Sequence, residues 1–133
     1  MVKTLLIFFS FYLVLLTSCH KEENNIEKEG VKGTWIWVSS SGGIANVMIT
    51  PETTGNKQKL VIGDKFYKKY ENNSLVLLTD YTIGVFEEPP IGPEGMSYIE
   101  FSSGERKGII TNGSELHLID QCYDCFCHLY KRQ

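Results

Sequence analysis

Three of the four cysteines in this chain of 133 residues lie close together near its carboxyl end. The segment reads QCYDCFCH and contains Cys122, Cys125, Cys127 and His128. Thiols and an imidazole at this spacing can form a disulfide, a redox centre or a zinc site. A zinc site is disfavoured because Cys127 and His128 are neighbours in a predicted strand and point to opposite faces. A redox role for Cys122 and Cys125 would need a helix amino terminus to stabilise a thiolate, and no helix is predicted there.

A disulfide is the expected use of these thiols in an exported protein, with one thiol left over. If the chain forms a last hairpin here, Cys122 and Cys127 flank its turn and can face each other at a bridgeable distance. We therefore expect a Cys122–Cys127 disulfide. A Cys122–Cys125 pair competes with it, and reduced cysteines are a further alternative.

No group of side chains has the spacing of a catalytic site. His117 lies between two leucines, and no Ser-His-Asp pattern stands out from chance. The carboxylate pairs, Glu87 with Glu88 and Asp120 with Asp124, are close in sequence, but neighbouring strand residues diverge. The sequence therefore predicts no enzyme, no catalytic residue, no metal site and no cofactor.

The amino terminus has the pattern of an export signal. Lys3 precedes an apolar run over residues 5–16, which ends at Thr17, Ser18 and Cys19. The run is short of the roughly 20 apolar residues that a membrane-spanning helix needs, and the charged residues that follow prevent it from lengthening. Residues 1–18 are therefore predicted to be a cleaved signal peptide, with a retained span as the alternative.

The sequence Leu16-Thr17-Ser18-Cys19 resembles the lipobox of bacterial lipoproteins. The resemblance implies that a diacylglyceryl group is transferred to the Cys19 thiol and that cleavage precedes this residue. It also implies acylation of the new amino terminus, so that several acyl chains anchor the protein to a membrane. Cys19 is thus the predicted lipidation site.

Residues 19–30 are predicted to form a flexible tether, because a run of Glu, Lys and Asn has little apolar area to bury. His20 follows the cysteine where lipoproteins retained in the inner membrane carry Asp. The run Lys21-Glu22-Glu23 is similar to the acidic tag that directs some lipoproteins to the cell surface. We expect a lipid anchor in the bacterial outer membrane, with the protein on its periplasmic or its outer side.

The charge of the chain argues against nucleic acid as a partner. The formal net charge is −3 at pH 7. A surface that follows a phosphate backbone needs an excess of Lys and Arg. The expected partners are instead a membrane, a small apolar ligand or an envelope protein.

Residues 31–133 have the pattern of an all-β domain. Short runs rich in Trp, Tyr, Phe, Val, Ile and Thr alternate with Gly, Asn, Asp and Pro. This close spacing is typical of a single antiparallel meander, which can hide its edges by stacking as a sandwich or by closing as a barrel. Alternation does not decide between these two architectures. Strands are predicted over residues 33–40, 47–50, 58–62, 65–70, 75–79, 81–86, 97–101, 108–111, 114–120 and 126–132.

Gly33-Thr34-Trp35 at the start of the first strand is similar to the Gly-x-Trp of lipocalins and related calycin barrels. In these barrels the Trp plugs the closed end and an Arg from the last strand stacks across it. Arg132 has the corresponding place in this sequence. The lipobox, the meander and the terminal Arg together resemble small lipocalin-like lipoproteins of Gram-negative bacteria, which implies a β-barrel of about eight strands.

A barrel of this size is just wide enough to be filled by its own side chains or to hold one small ligand. The resemblance implies a non-catalytic protein that binds a small apolar or amphipathic molecule. Trp37, Tyr67, Phe86 and Tyr98 are expected to line or rim its pocket. The alternative is a structural or protein-interaction module of the outer membrane with a filled barrel.

Overall fold

The computed structural model describes residues 30–133. The predicted signal peptide, the lipidation site Cys19 and all of the tether except Gly30 lie outside the described residues. Among the described residues, no helix has the length and the hydropathy needed to cross a membrane.

Nine strands and one short helix lie wholly within the described residues. Their bounds are β1 Gly33–Gly42, β2 Val47–Ile49, α1 Pro51–Thr54, β3 Gln58–Ile62, β4 Phe66–Glu71, β5 Ser74–Val85, β6 Ser97–Phe101, β7 Arg106–Thr111, β8 Glu115–Asp120 and β9 Phe126–Arg132.

The strands form a closed antiparallel barrel, which confirms the predicted lipocalin-like architecture. Neighbouring strands from β3 to β9 pair in chain order, and β1 pairs with both β3 and β9. These eight strands make the wall, while β2 pairs only with the end of β1. Pairing between β1 and β9 joins the first edge of the sheet to the last, so the wall has no open seam between them.

Two elements differ from the sequence prediction. The expected strands over 75–79 and 81–86 are one continuous strand, β5, which changes partner between Asp80 and Tyr81: its first half pairs with β4 and its second half with β6. The helix α1 was not predicted, because four residues are too few to show a helical period. It is stabilised by Thr50 and Thr53, which cap each other's backbone.

The core occupies the interior of the barrel. Trp35 and Leu60 are completely shielded from solvent, as is Leu116. Inward-facing residues alternate along most strands, as expected for a wall with one buried face. The buried cluster consists of Val31, Trp35, Trp37, Leu60, Ile62, Tyr67, Tyr81, Ile99, Phe101, Ile109, Leu116, Leu118 and Tyr130.

Trp35 and Arg132 meet at one end of the barrel, the arrangement that the lipocalin resemblance implies. The guanidinium carbon of Arg132 lies 4.1 Å from the centre of the Trp35 ring. The same guanidinium donates hydrogen bonds to the carbonyl oxygens of Gly30, Lys32 and Gly113 at 2.6–2.9 Å. Arg132 therefore covers the Trp ring and joins the amino-terminal segment to the turn between β7 and β8.

Gly33 makes this contact possible. Its φ of +133° lies in a region that other residues rarely adopt, and a Cβ atom there would lie 2.4 Å from Nη1 of Arg132. The Trp35 indole nitrogen donates to the carbonyl oxygen of Val31 at 2.8 Å, so the polar atom of this buried ring also has a hydrogen-bond partner. We refer to this end, with Trp35, Arg132 and Gly33, as the closed end.

Arg132→Ala tests how much the closed end contributes to stability. The variant loses a cation–π contact and three hydrogen bonds that are partly exposed to water. We expect the free energy of unfolding in urea to fall by about 2 kcal/mol. Lys131→Ala, on the same strand, removes a 3.9 Å ion pair with Glu115 at the surface and should change it by less than about 0.5 kcal/mol. Equal losses in the two variants would contradict the role given to Arg132.

Candidate functional site

The barrel has a cavity of about 420 Å³ that opens to solvent on the side away from the closed end. Its wall combines aromatic and aliphatic side chains with a smaller number of polar ones, as ligand sites commonly do. The residues around it are Trp37, Ser40, Ile49, Thr54, Asn56, Gln58, Tyr67, Lys69, Leu77, Phe101, Glu105, Lys107, Leu118, Phe126, His128 and Tyr130.

A β-bulge in β1 brings one polar side chain to this wall. Trp37 pairs with Tyr130 and Ser39 pairs with Leu129, so one extra residue is inserted in β1. After such an insertion the alternation of inward and outward side chains shifts by one. Ser40, which strict alternation would place outside, is only 5% exposed and lines the cavity.

Ser40 begins a chain of hydrogen bonds along the cavity wall. Its Oγ accepts from Nε1 of Trp37 at 2.9 Å and lies 2.7 Å from Nδ1 of His128. The other ring nitrogen of His128 lies 3.3 Å from Oδ2 of Asp120. With His128 neutral, every donor finds an acceptor: Ser40 donates to Nδ1, and Nε2 donates to the carboxylate.

Asp120 is also bound to Lys107, whose Nζ lies 2.5 Å from Oδ1 of Asp120 and 3.0 Å from Oε1 of Glu105. Burial alone would raise the pKa of Asp120, but the hydrogen bonds from His128 and Lys107 lower it well below its ordinary value. Burial alone would lower the pKa of Lys107, yet its two carboxylate partners raise it. The chain of hydrogen bonds therefore ends in an ion pair that stays charged at neutral pH.

Hydroxyl, imidazole and carboxylate stand here in the order found in hydrolase triads. No spacing in the sequence identifies this group. Ser40, Asp120 and His128 lie on β1, β8 and β9, far apart in the chain, and the bulge that turns Ser40 inward has no signature in a single sequence. Hydrolysis would also need hydrogen-bond donors that stabilise the oxyanion formed on the substrate. The Trp37 indole does not serve as such a donor, because it already donates to the serine oxygen itself.

Of the four residues expected at the pocket, two lie at the cavity and two do not. Trp37 and Tyr67 line it. Phe86 and Tyr98 pack together on the outer wall, with ring centres 4.7 Å apart. The reason is the alternation in β6, where Ser97 and Ile99 are buried inside the barrel and Tyr98 therefore faces outward.

The disulfide is the competing pair, Cys122–Cys125, and not the expected Cys122–Cys127. Cys122 and Cys125 lie in the turn between β8 and β9, with Cα atoms 5.4 Å apart. Cys127 is already in β9, where it pairs with Ile119, so it is held away from the turn. The turn packs on the end of β1, where a Cβ atom at Gly42 would lie 2.1 Å from the carbonyl oxygen of Cys125.

Cys127 keeps a free thiol on the outer face of the barrel. Its sulfur lies 3.8 Å from Nδ1 of His117. Burial, and after it the nearby Asp120, raises the pKa of this thiol, so a reactive thiolate is disfavoured. No cluster of three or more metal-ligating side chains occurs in residues 30–133.

Asp120→Asn tests the ion pair between Asp120 and Lys107, at the end of the chain of hydrogen bonds. At pH 7 the variant should lose about 1–3 kcal/mol in the free energy of unfolding, because Lys107 loses the more buried of its two ionised partners. Since the folded-state pKa of Asp120 is lowered, its contribution is present above about pH 4 and decreases as the pH falls further. Urea unfolding between pH 7 and pH 3 should therefore show that the difference in the free energy of unfolding between the variant and the wild type becomes smaller in acid.

Asp124→Asn is the matched control, because Asp124 is exposed in the loop between β8 and β9. It should leave the stability unchanged within about 0.5 kcal/mol across this range. A gap for Asp120→Asn that is constant between pH 7 and pH 3 would contradict the assigned ion pair.

Comparisons with known proteins identify no family for this chain. No family model, no curated protein and no solved structure matches it. The resemblance to lipocalins therefore depends on residues of this chain alone, and the functional conclusions depend on its fold and its cavity.

Proposed function

We propose that this protein binds one small amphipathic molecule inside its barrel and that it is not an enzyme. The observation that carries the proposal is the cavity of about 420 Å³. This volume lies at the lower end of the range of roughly 300–1,000 Å³ that is usual for ligand pockets. A compact ligand, rather than a large lipid, fits such a space.

The composition of the wall supports an amphipathic ligand. Leu77, Phe101, Leu118 and Phe126 give the cavity apolar surface for the ligand body. The polar side of the same wall contains Ser40, Lys107 and His128, among others. A ligand with both an apolar and a polar part can contact both kinds of surface without leaving a polar group unpaired.

The alternative function is a structural or interaction module with a filled barrel. It requires that the side chains of the wall occupy the interior completely. The open volume inside the barrel favours the ligand-binding protein over this alternative.

We also propose that Cys19 carries a lipid anchor and that the protein resides at the bacterial outer membrane. The lipobox sequence Leu16-Thr17-Ser18-Cys19 supports this proposal. Gly30 meets Arg132 at the closed end, so the tether would join the barrel at the end opposite the cavity. With this arrangement the cavity can remain accessible while the anchor holds the protein at the membrane.

Ligand binding is tested by thermal unfolding of the full chain with a panel of lipids, haem and glycans. A ligand that binds the folded state stabilises it by about 2.7 kcal/mol at a concentration about 100 times its Kd. At least one member of the panel should raise the unfolding temperature. Leu77→Trp, which places a larger side chain at the cavity, should reduce this stabilisation by at least half.

Leu78→Trp is the control for this variant. Leu77 is 40% exposed and Leu78 is 58% exposed, so both positions tolerate a larger side chain, but only Leu77 lines the cavity. Leu78→Trp should therefore keep the full stabilisation. If no member of the panel stabilises the wild type, the filled-barrel alternative replaces the proposal.

The anchor is tested by growing cells with a clickable palmitate analogue. The wild-type protein should incorporate the analogue, and Cys19→Ser should lose the label because the acyl groups are attached at this residue. Cys127→Ser, which removes the free thiol of β9, should keep the label. An unlabelled wild type, or a labelled Cys19→Ser variant, would refute the lipid anchor.

A further inference from the structure

Two tyrosines inside the barrel have hydroxyl groups that the protein does not use. Tyr67 on β4 and Tyr130 on β9 are each only 3% exposed, and both line the cavity. Within residues 30–133, neither hydroxyl has a hydrogen-bond partner. Buried tyrosine hydroxyls usually find a partner, so an unpartnered pair on one cavity calls for an explanation.

The two hydroxyls open onto the cavity and are not sealed in the core. Every completely buried side-chain nitrogen or oxygen among the described residues has a partner. Since these two hydroxyls have none, they are not completely buried. Tyr81 provides the comparison within the same barrel. Its hydroxyl donates to the carbonyl oxygen of Gly63 at 2.6 Å, so its polar group is used by the protein.

The surroundings determine which ligand atom these hydroxyls can bind. Burial is the main cause that raises the pKa of both tyrosines, and the neighbouring Tyr130 raises the pKa of Tyr67 further. Both side chains therefore stay neutral at physiological pH and act as O–H donors. Their complement is an acceptor oxygen on the ligand.

The charges near the hydroxyls argue against an anionic ligand. Glu105 and Asp120 act on Tyr67, and Asp120 and Glu71 act on Tyr130. The two lysines at the cavity are already paired, Lys107 with Glu105 and Asp120, and Lys69 with Glu71 at 2.9 Å. A carboxylate would thus enter a region whose cations are neutralised, and its desolvation would not be compensated.

We propose that the cavity holds an uncharged amphiphile whose carbonyl or ester oxygen accepts hydrogen bonds from the hydroxyls of Tyr67 and Tyr130. The apolar part of the ligand then lies against the aromatic and aliphatic wall. This inference rests on the proposed ligand binding and adds to it the chemical class of the ligand.

The test is calorimetric titration of the full chain with 2-octanone and with octanoate, two probes of equal length that differ in charge. We expect 2-octanone to bind at least about ten times more tightly than octanoate, since only octanoate carries a charge into the cavity. Tyr67→Phe and Tyr130→Phe should each weaken binding of 2-octanone by about five- to tenfold, the loss expected for one hydrogen bond.

Tyr81→Phe is the matched control, because it removes a buried hydroxyl that does not line the cavity. It should lower the unfolding temperature and leave the affinity for 2-octanone unchanged. Tyr67→Phe should do the opposite, keeping the unfolding temperature and lowering the affinity, because its hydroxyl has no partner in the described protein. This crossed result distinguishes a ligand contact from a structural role.

The inference is overturned if octanoate binds as tightly as 2-octanone, or if the double variant Tyr67→Phe/Tyr130→Phe keeps the affinity of the wild type. Either result leaves the proposed function standing when other members of the lipid, haem and glycan panel stabilise the protein. The proposed function itself fails only when no panel member stabilises the wild type.

Discussion

Closure of the sheet is the constraint on which the rest of the structure depends. β1 and β9 come from opposite ends of the barrel domain, and their pairing turns a flat meander into a barrel. At the closed end Arg132 crosses from β9 to the Trp35 ring of β1 and binds three backbone carbonyls. Because the core faces inward on all eight strands of the wall, its burial requires this closure.

The same pair of strands also creates the polar side of the cavity. Between the closed end and the bulge in β1, the inward-facing residues are Trp35 and Trp37, which pack in the core. Beyond the bulge, towards the cavity, the inward-facing residue is Ser40, which lies opposite His128. One inserted residue therefore separates an apolar plug from a polar wall, and it places the polar chain from Ser40 to Asp120 inside the barrel rather than in solvent.

Most of the strands could be predicted because they depend on local patterns. Runs such as 58–62 and 97–101, bounded by turn residues, have the same limits in the structure as in the prediction. The predictions that differ depend on distant neighbours. Asp80 interrupts an apolar run without ending β5, because the strand changes partner there. Tyr98 was expected near the pocket, but the side of the wall that it faces is determined by the pairing register.

The sequence by itself determined that this chain is an antiparallel meander, because alternation and turn residues are local features, and the barrel followed from the resemblance of Gly33-Thr34-Trp35 and Arg132 to lipocalins. Only the tertiary structure decided what the barrel contains. Whether side chains fill the interior or leave a cavity depends on how eight strands tilt and stagger. Packing likewise determines that the hydroxyls of Tyr67 and Tyr130 have no partner, because the hydrogen-bond partners of a tyrosine depend on residues that are distant in the sequence.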